Sequence, residues 1–282
     1  MKKLLSAILV FLMVLSCAAI FSCGKKGASG GTKNEGEIYG MYSAAVEKTN
    51  NLKSFVSKIE AEQVISIDLG GGSTVDTTTT TTGTSKLKFT EDGTALSETH
   101  GVTTTDAYSE TQEVEFDLFS DRDNYYYRQG GSGDYTVMPK TGEDAQAVAA
   151  ALGSIENQKI EMFGKDDIDR VTVTAEDESG TTLKMVIKGK NYNDRIDELL
   201  GDLISSYESM GAKITRCEVT SDPVCEYTVS PEGYISKVAL SFEMEMEMEL
   251  SGITMEMKLV QDSVTEITDP DGEVEIVFPD AG

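Results

Sequence analysis

Residues 241–259 read SFEMEMEMELSGITMEMKL, and this stretch decides the architecture. Phe242, Met244, Met246, Met248 and Leu250 alternate with Ser241, Glu243, Glu245, Glu247 and Glu249, so successive side chains must point to opposite faces of an extended strand. Ser251-Gly252 then forms a two-residue hairpin loop, and Ile253, Met255, Met257 and Leu259 continue the apolar set. A loop at 251 and 252 pairs residues whose numbers sum to 503. Leu250 should face Ile253, Met248 Met255, Met246 Met257 and Met244 Leu259, which gathers the apolar groups on one face. On the other face Glu245 meets Lys258, a favourable pair, and Glu247 meets Glu256, an unfavourable one unless solvent screens it.

Working outward, the last third of the chain is all strand. Lys213 to Thr220 and Cys225 to Ser230 flank a turn at Ser221-Asp222-Pro223, and Asp269-Pro270-Asp271-Gly272 precedes a final strand, Val274 to Phe278. Before it, Ile196, Leu199, Leu200, Leu203, Ile204, Tyr207 and Met210 form one helical stripe, with Asn193 as its expected N-cap and Gly211 as its stop. Glu143 to Leu152 is alanine-rich and helical, and the pair Arg170–Ala175 and Thr181–Lys188 turns at Asp177-Glu178-Ser179-Gly180. Toward the N-terminus, Ile38, Tyr42, Ala45, Thr49 and Leu52 recur at helical spacing, giving an amphipathic helix over about Glu37 to Asn51. Six or seven strands follow: Ser54–Leu69, Thr74–Phe89 with six consecutive threonines, Ala95–Thr104, Glu113–Phe119, and a Gly-rich hairpin of Asn124–Arg128 with Tyr135–Met138. The threonines favour extended backbone because they branch at Cβ. Consecutive strands of this kind make an antiparallel meander.

The first residues carry a different signal. Met1-Lys2-Lys3 is a short basic start and Leu4 to Phe21 an apolar run, the form of an export signal over residues 1–22. Ile20-Phe21-Ser22-Cys23-Gly24 resembles the bacterial lipobox, whose cysteine takes a diacylglycerol thioether, with acyl chains such as palmitate, before cleavage. Val14-Leu15-Ser16-Cys17 is a competing box. Cys23 is favoured because polar Gly24-Lys25-Lys26-Gly27 follows it, whereas Cys17 runs into further apolar residues. Residues 23–36 then read as the lipidated cysteine and a flexible tether, and residues 37–282 as one domain. Two acyl chains, at about 0.8 kcal/mol per buried methylene, hold a protein stably on a membrane. The expected location is the extracytoplasmic face of the cell membrane.

Composition limits function. Against 24 Lys plus Arg stand 49 Asp plus Glu; the first 22 residues hold two lysines and no acid, so the remainder stands at −27. That charge repels phosphate backbones and argues against a nucleic-acid partner. On an anionic membrane it should hold the domain off the surface, with Lys25, Lys26 and Lys33 as the local exception. No P-loop, dinucleotide fingerprint or zincin motif is present, and Gly27-Ala28-Ser29-Gly30-Gly31 matches a hydrolase elbow only by chance, since it lacks a strand before and a helix after. No enzyme, resident cofactor or metal is expected. Asp121-Arg122-Asp123-Asn124 and Asp269 to Glu273 resemble fragments of calcium loops without the full ligand pattern, and the single histidine, His100, has no nameable partner. Cys217 and Cys225 flank the Ser221–Pro223 turn, where they either close a cross-turn disulfide or stay reduced. Met244, Met246, Met248, Met255 and Met257 are candidate ligand-lining residues because methionine adapts to variable apolar shapes; ordinary core packing against the 196–210 helix is the alternative.

The succession of helix, meander, helix and long strands behind a lipidated cysteine resembles the LolA/LppX-like superfamily of lipoprotein-carrier folds, and within it the uncharacterised surface lipoproteins of Gram-positive bacteria. The resemblance rests on Asn51-Leu52-Lys53-Ser54 after the first helix, Asp123-Asn124-Tyr125-Tyr126-Tyr127 before the Gly-rich hairpin, Tyr227 to Val229 leading through Pro231-Glu232-Gly233-Tyr234 into the Met/Glu strands, and a closing Ile276-Val277-Phe278-Pro279. It covers about residues 37–279. Relatives often carry a Trp where Tyr135 stands. The resemblance implies an α+β fold in which a curved antiparallel half-barrel sheet has amphipathic helices over its concave face, holding a hydrophobic or lipidic ligand non-covalently. The rival is an adhesive or scaffolding lipoprotein without a small-molecule pocket, its protein partner unknown.

Overall fold

The computed structural model describes residues 35–68, 74–107, 110–140, 160, 163–194, 212–250 and 253–279. The signal segment, Cys17, Cys23, tether residues 24–34 and the expected helices at 143–152 and 196–210 lie outside them; Glu35 and Gly36, expected in the tether, already belong to the first helix.

Helix α1 (Glu35–Asn50) begins with Glu35 and Glu37 in its first turn and ends with Lys48 in its last, charges that complement the helix dipole. Ile38, Tyr42, Ala45, Val46 and Thr49 form its buried stripe. Among the described residues twelve strands follow: β1 (Ser54–Asp68), β2 (Thr74–Phe89), β3 (Ala95–Ala107), β4 (Glu110–Ser120), β5 (Asn124–Gln129), β6 (Thr136–Pro139), β7 (Ile168–Asp177), β8 (Gly180–Ile187), β9 (Ala212–Val219), β10 (Val224–Val229), β11 (Ile235–Leu250) and β12 (Ile253–Thr268). A five-residue helix α2 (Gly189–Asn193) lies between β8 and β9.

All pairings are antiparallel, in the order β6-β5-β4-β3-β2-β1-β12-β11-β10-β8-β7. The end strands β6 and β7 do not pair with each other, so the sheet is an open half-barrel and not a closed one. β11 and β12 follow the sum-of-503 register from Leu250↔Ile253 to Lys237↔Glu266, and Lys258 reaches Glu245 at 2.7 Å. Glu247 does oppose Glu256, but Glu247 accepts a 2.6 Å hydrogen bond from the Thr215 hydroxyl. In β1 and β12 buried and exposed residues alternate along almost the whole length, which defines a buried inner and a solvated outer face.

Three expectations are corrected. β9 and β10 were expected to lie side by side across the Ser221–Pro223 turn. Instead both pair with β11, end to end: β10 with Ile235–Ser241 and β9 with Met244–Leu250. A strand as long as β11 offers one edge that two short strands share. Asn193, expected in a loop ahead of the 196–210 helix, instead ends α2, and its side-chain amide grips Val219, accepting from the backbone N–H at 2.6 Å and donating to the carbonyl at 3.0 Å. Residues 274–278 form no strand but pack on the outer face, where Phe278 meets Phe119 and Tyr126 and Val274 is buried.

Candidate functional site

The strand registers divide the inner face into three zones. The first is the methionine wall. Met244, Met246, Met248, Met255 and Met257 are each no more than 9 % exposed and cluster with Ile65, Ile67 and Leu259. The hairpin register carries this set across β11 and β12, and β1 extends it, since Ile65 pairs with Leu259 and Ile67 with Met257. All five candidate lining residues therefore share one patch.

The second zone is polar. Thr77, Thr79 and Thr81 of β2 face inward beside Thr103 and Thr105 of β3, and all are buried. Their hydroxyls pair across the strands, Thr79 with Thr105 at 3.4 Å and Thr81 with Thr103 at 3.2 Å, while Thr99 donates to Ser85 at 2.9 Å. Between this field and the methionines, Gln63 donates to the Gln261 side chain at 3.1 Å. The Gln63 Oε1, Ser97 Oγ and Thr265 Oγ1 atoms are buried without a hydrogen-bond partner. Sequence reading took the threonine run as a strand former and missed the field. Its signal was in the run itself, because every second threonine of a two-faced strand must point inward. Gly83 and Gly101 interrupt the field side by side, and the Phe116 ring fills the space where a Gly101 Cβ would stand.

The third zone is covered by α1. Ile38, Tyr42, Ala45 and Val46 pack on Val171, Val173, Leu183, Met185, Cys225, Tyr227, Val238 and Leu240 from β7, β8, β10 and β11. Two polar clamps seat the helix: Thr49 Oγ1 accepts from the Ile235 N–H at 2.7 Å, and the Asn50 amide both donates to and accepts from the backbone of Ile160 at 2.8 Å. Cys225 is wholly buried here, and desolvation pushes its thiol pKa up to about 12, which leaves it an inert core thiol. The candidate Cys217–Cys225 disulfide is not formed. Cys217 lies opposite Met246 and Cys225 opposite Leu240, six residues apart on β11 and hence about 20 Å apart, beyond the reach of a disulfide.

With charge the segregation is complete. By the observed registers, β11, β12, β1, β2 and β3 place no charged side chain on the inner face, while Glu243, Glu245, Glu247, Glu256, Lys258, Lys58, Glu60 and their neighbours stand on the outer one. A trough of about 480 Å³ on that outer face is lined by Lys58, Glu60, His100, Glu115 and Asp117 together with Thr82, Thr84 and Val102.

Residues 38–281 match a family of unknown function, DUF6612. The chain belongs to that family. No curated protein matches it. Among solved structures it is similar to LprF from Mycobacterium bovis (10 % identity, TM-score 0.40, covering 88 % of this chain and 99 % of that one). It is similar also to lipoprotein LppX from Mycobacterium tuberculosis (7 %, 0.38, 86 % and 100 %) and to a LolA superfamily protein from Nitrosomonas europaea (10 %, 0.20, 87 % and 96 %).

His100 has partners that sequence reading did not find. On the outer face its Nδ1 lies 2.5 Å from Asp117 and its Nε2 3.1 Å from Glu98. Arg128 also binds Asp117, with its Nε at 2.8 Å, and Lys86 binds Glu98 at 2.7 Å. Burial pushes both carboxyls up, but the Lys86 and His100 hydrogen bonds and the Lys86 charge, with the Val277 N–H, hold Glu98 below its ordinary value. Asp117 is held down likewise by His100 and Arg128. The acidic turn fragments are spent locally too: Asp121 accepts the N–H groups of Asp123 and Asn124, and Asp271 accepts that of Lys53. Folding thus depresses the Glu98 and Asp117 pKa values, so at low pH the unfolded chain binds the extra protons. The stabilisation is whole above about pH 5 and is lost as pH falls through the depressed folded values. Urea midpoints should accordingly fall below about pH 4.5. Glu98→Gln should reduce that fall, and an unchanged pH slope in this variant would refute the assignment.

Proposed function

We propose that this protein is an extracytoplasmic lipoprotein, anchored through a diacylglycerol on Cys23, whose inner face holds an amphiphilic lipid non-covalently, and that it is a binding protein and not an enzyme. The observation that carries the reading is the charge segregation: the inner face of five adjacent central strands is uncharged, part thioether and aliphatic, part hydroxyl and amide. Such a surface suits an acyl chain along the methionines and an uncharged polar group over the Ser/Thr/Gln field. A charged headgroup would find no counter-charge there. Gln63 Oε1, Ser97 Oγ and Thr265 Oγ1 are acceptors left open for such a group.

The test is native mass spectrometry of the full-length chain taken from its own membrane in mild detergent. A lipid-sized adduct that survives activation, together with uptake of a long-chain fluorescent probe by the delipidated protein, is expected. Neither adduct nor uptake, combined with a protein partner whose binding weakens steeply with salt, would replace this reading with the scaffolding one. For the anchor, Cys23→Ser should move the protein from the membrane to the soluble fraction, whereas Cys17→Ser should not.

A further inference from the structure

Along β9 the methionine wall gains a thiol. In the ladder between β9 and β11, Ile214 faces Met248 and Arg216 faces Glu247, which leaves Thr215 as an extra residue without a partner. A bulge of this kind re-aims the side chains that follow it. Here it places Cys217 on the inner face opposite Met246, and sends Arg216 and Glu218 to the outer face, where they bind each other at 3.2 Å. The Cys217 thiol then donates to the Met244 thioether, Sγ to Sδ 3.8 Å. Met246 lies between Cys217 and Met257 in one cross-strand row.

We propose that Cys217, Met244 and Met246, with Met257 within reach from β12, form a binding site for one monovalent soft cation of the Cu(I) or Ag(I) type. Three features point the same way. The donors are all sulfur, the ligand class that selects such ions. Metal–sulfur bonds of about 2.3 Å put neighbouring donors on a tetrahedral centre about 3.8 Å apart, which is the separation found between Cys217 and Met244. The charge also balances. A +1 ion that displaces the Cys217 proton to solvent leaves a neutral thiolate complex, so no net charge enters an apolar wall. A divalent ion would leave one, and hard cations would find no oxygen donors, because the glutamates of β11 and β12 stand on the other face. Among the described residues no group of three His, Cys, Asp or Glu side chains could hold a metal, so the thioethers are indispensable to the site. Cys217 is only half-buried, and among the described residues its strand β9 pairs with β11 alone. No redox step is involved, and the inference stands whether or not a lipid occupies the face.

The test uses Ag(I), which needs no reductant, on the full-length reduced chain in detergent. Native mass spectrometry should show that wild type binds one more Ag(I) than Cys217→Ser, with one proton released for it. Met244→Leu and Met246→Leu, which keep side-chain volume, should each weaken that site about tenfold. Cys225→Ser should leave it unchanged, because that thiol is sealed in the core. Bound Ag(I) should also raise the melting temperature of wild type and not of Cys217→Ser, and Cu(I)-loaded protein should show a sulfur shell at about 2.3 Å by X-ray absorption. The proposal is overturned if Cys217→Ser binds as many ions as wild type. It is equally overturned if Cys217→Ser loses the ion while both methionine variants bind as tightly as wild type, for then the thiol acts alone. Should one leucine variant fail to fold, the other decides.

Discussion

Alanine at position 180 is expected to lower stability by about 3 kcal/mol or more, although the change adds a single methyl group to a surface turn. Gly180 opens β8 at the turn after Asp177, with φ +131, a backbone state that L residues rarely adopt. The space is closed as well: a Cβ there would stand 2.0 Å from the carbonyl oxygen of Val229 and 2.9 Å from its carbon. Neither side can give way cheaply. Val229 ends β10, which is held between β8 and β11, and the turn is pinned by Asp177 accepting the Ser179 N–H at 2.8 Å. In a domain of this size the melting temperature should fall by roughly 6–12 °C. Gly233→Ala is the control, because Gly233 also has a positive φ of 85 but nothing within 4 Å of its would-be Cβ. It should lose only the strain of about 1 kcal/mol. Equal melting temperatures for the two variants would show that the close approach to Val229 does not constrain the fold.

What the residues revealed in advance, and what they hid, follows from where each constraint resides. The hairpin register was readable to the residue because a two-residue loop and strict alternation together leave one solution. The boundaries of β2 were readable because Gly and acidic turn residues bracket the threonines. The placement of β9 and β10 was not. A four-residue link looks like a hairpin turn, and only the length of β11, set by long-range pairing, makes it a relay along one edge. The same relay removes the disulfide and turns Cys217 toward the methionines. The hydroxyl field was hidden for another reason. Threonine in a strand carries no preference for either face, so its burial depends on neighbours contributed by β1, β3 and β12. His100 gained its partners from Asp117 on the next strand and from Glu98 two residues back, and the first of these no local reading supplies.

Truncation of Tyr42 to alanine should lower stability by about 3–5 kcal/mol, and Tyr42→Phe by about 1–2 kcal/mol; together they locate the ligand seat. The Tyr42 side chain is wholly buried, its ring 5.0 Å from that of Tyr227 and 6.0 Å from that of Tyr39, and its hydroxyl accepts the Phe163 N–H at 3.2 Å. Alanine removes the ring that fills the space between α1 and β10, whereas phenylalanine keeps the ring and leaves a buried N–H without its acceptor. Neither change touches the clamps at the other end of the helix, Thr49 to Ile235 and Asn50 to Ile160. The helix should therefore loosen from its N-terminal turns and not detach, and Tyr42→Ala should expose apolar surface to a reporter dye. The methionine wall lies on the half of β11 paired with β9, away from the half beneath α1. If the lipid rests on the methionines alone, Tyr42→Phe should take up the long-chain probe as tightly as wild type. A probe that binds Tyr42→Phe several-fold more weakly would mean that the seat runs under α1, which would make the helix part of the binding surface as well as the cover of the core.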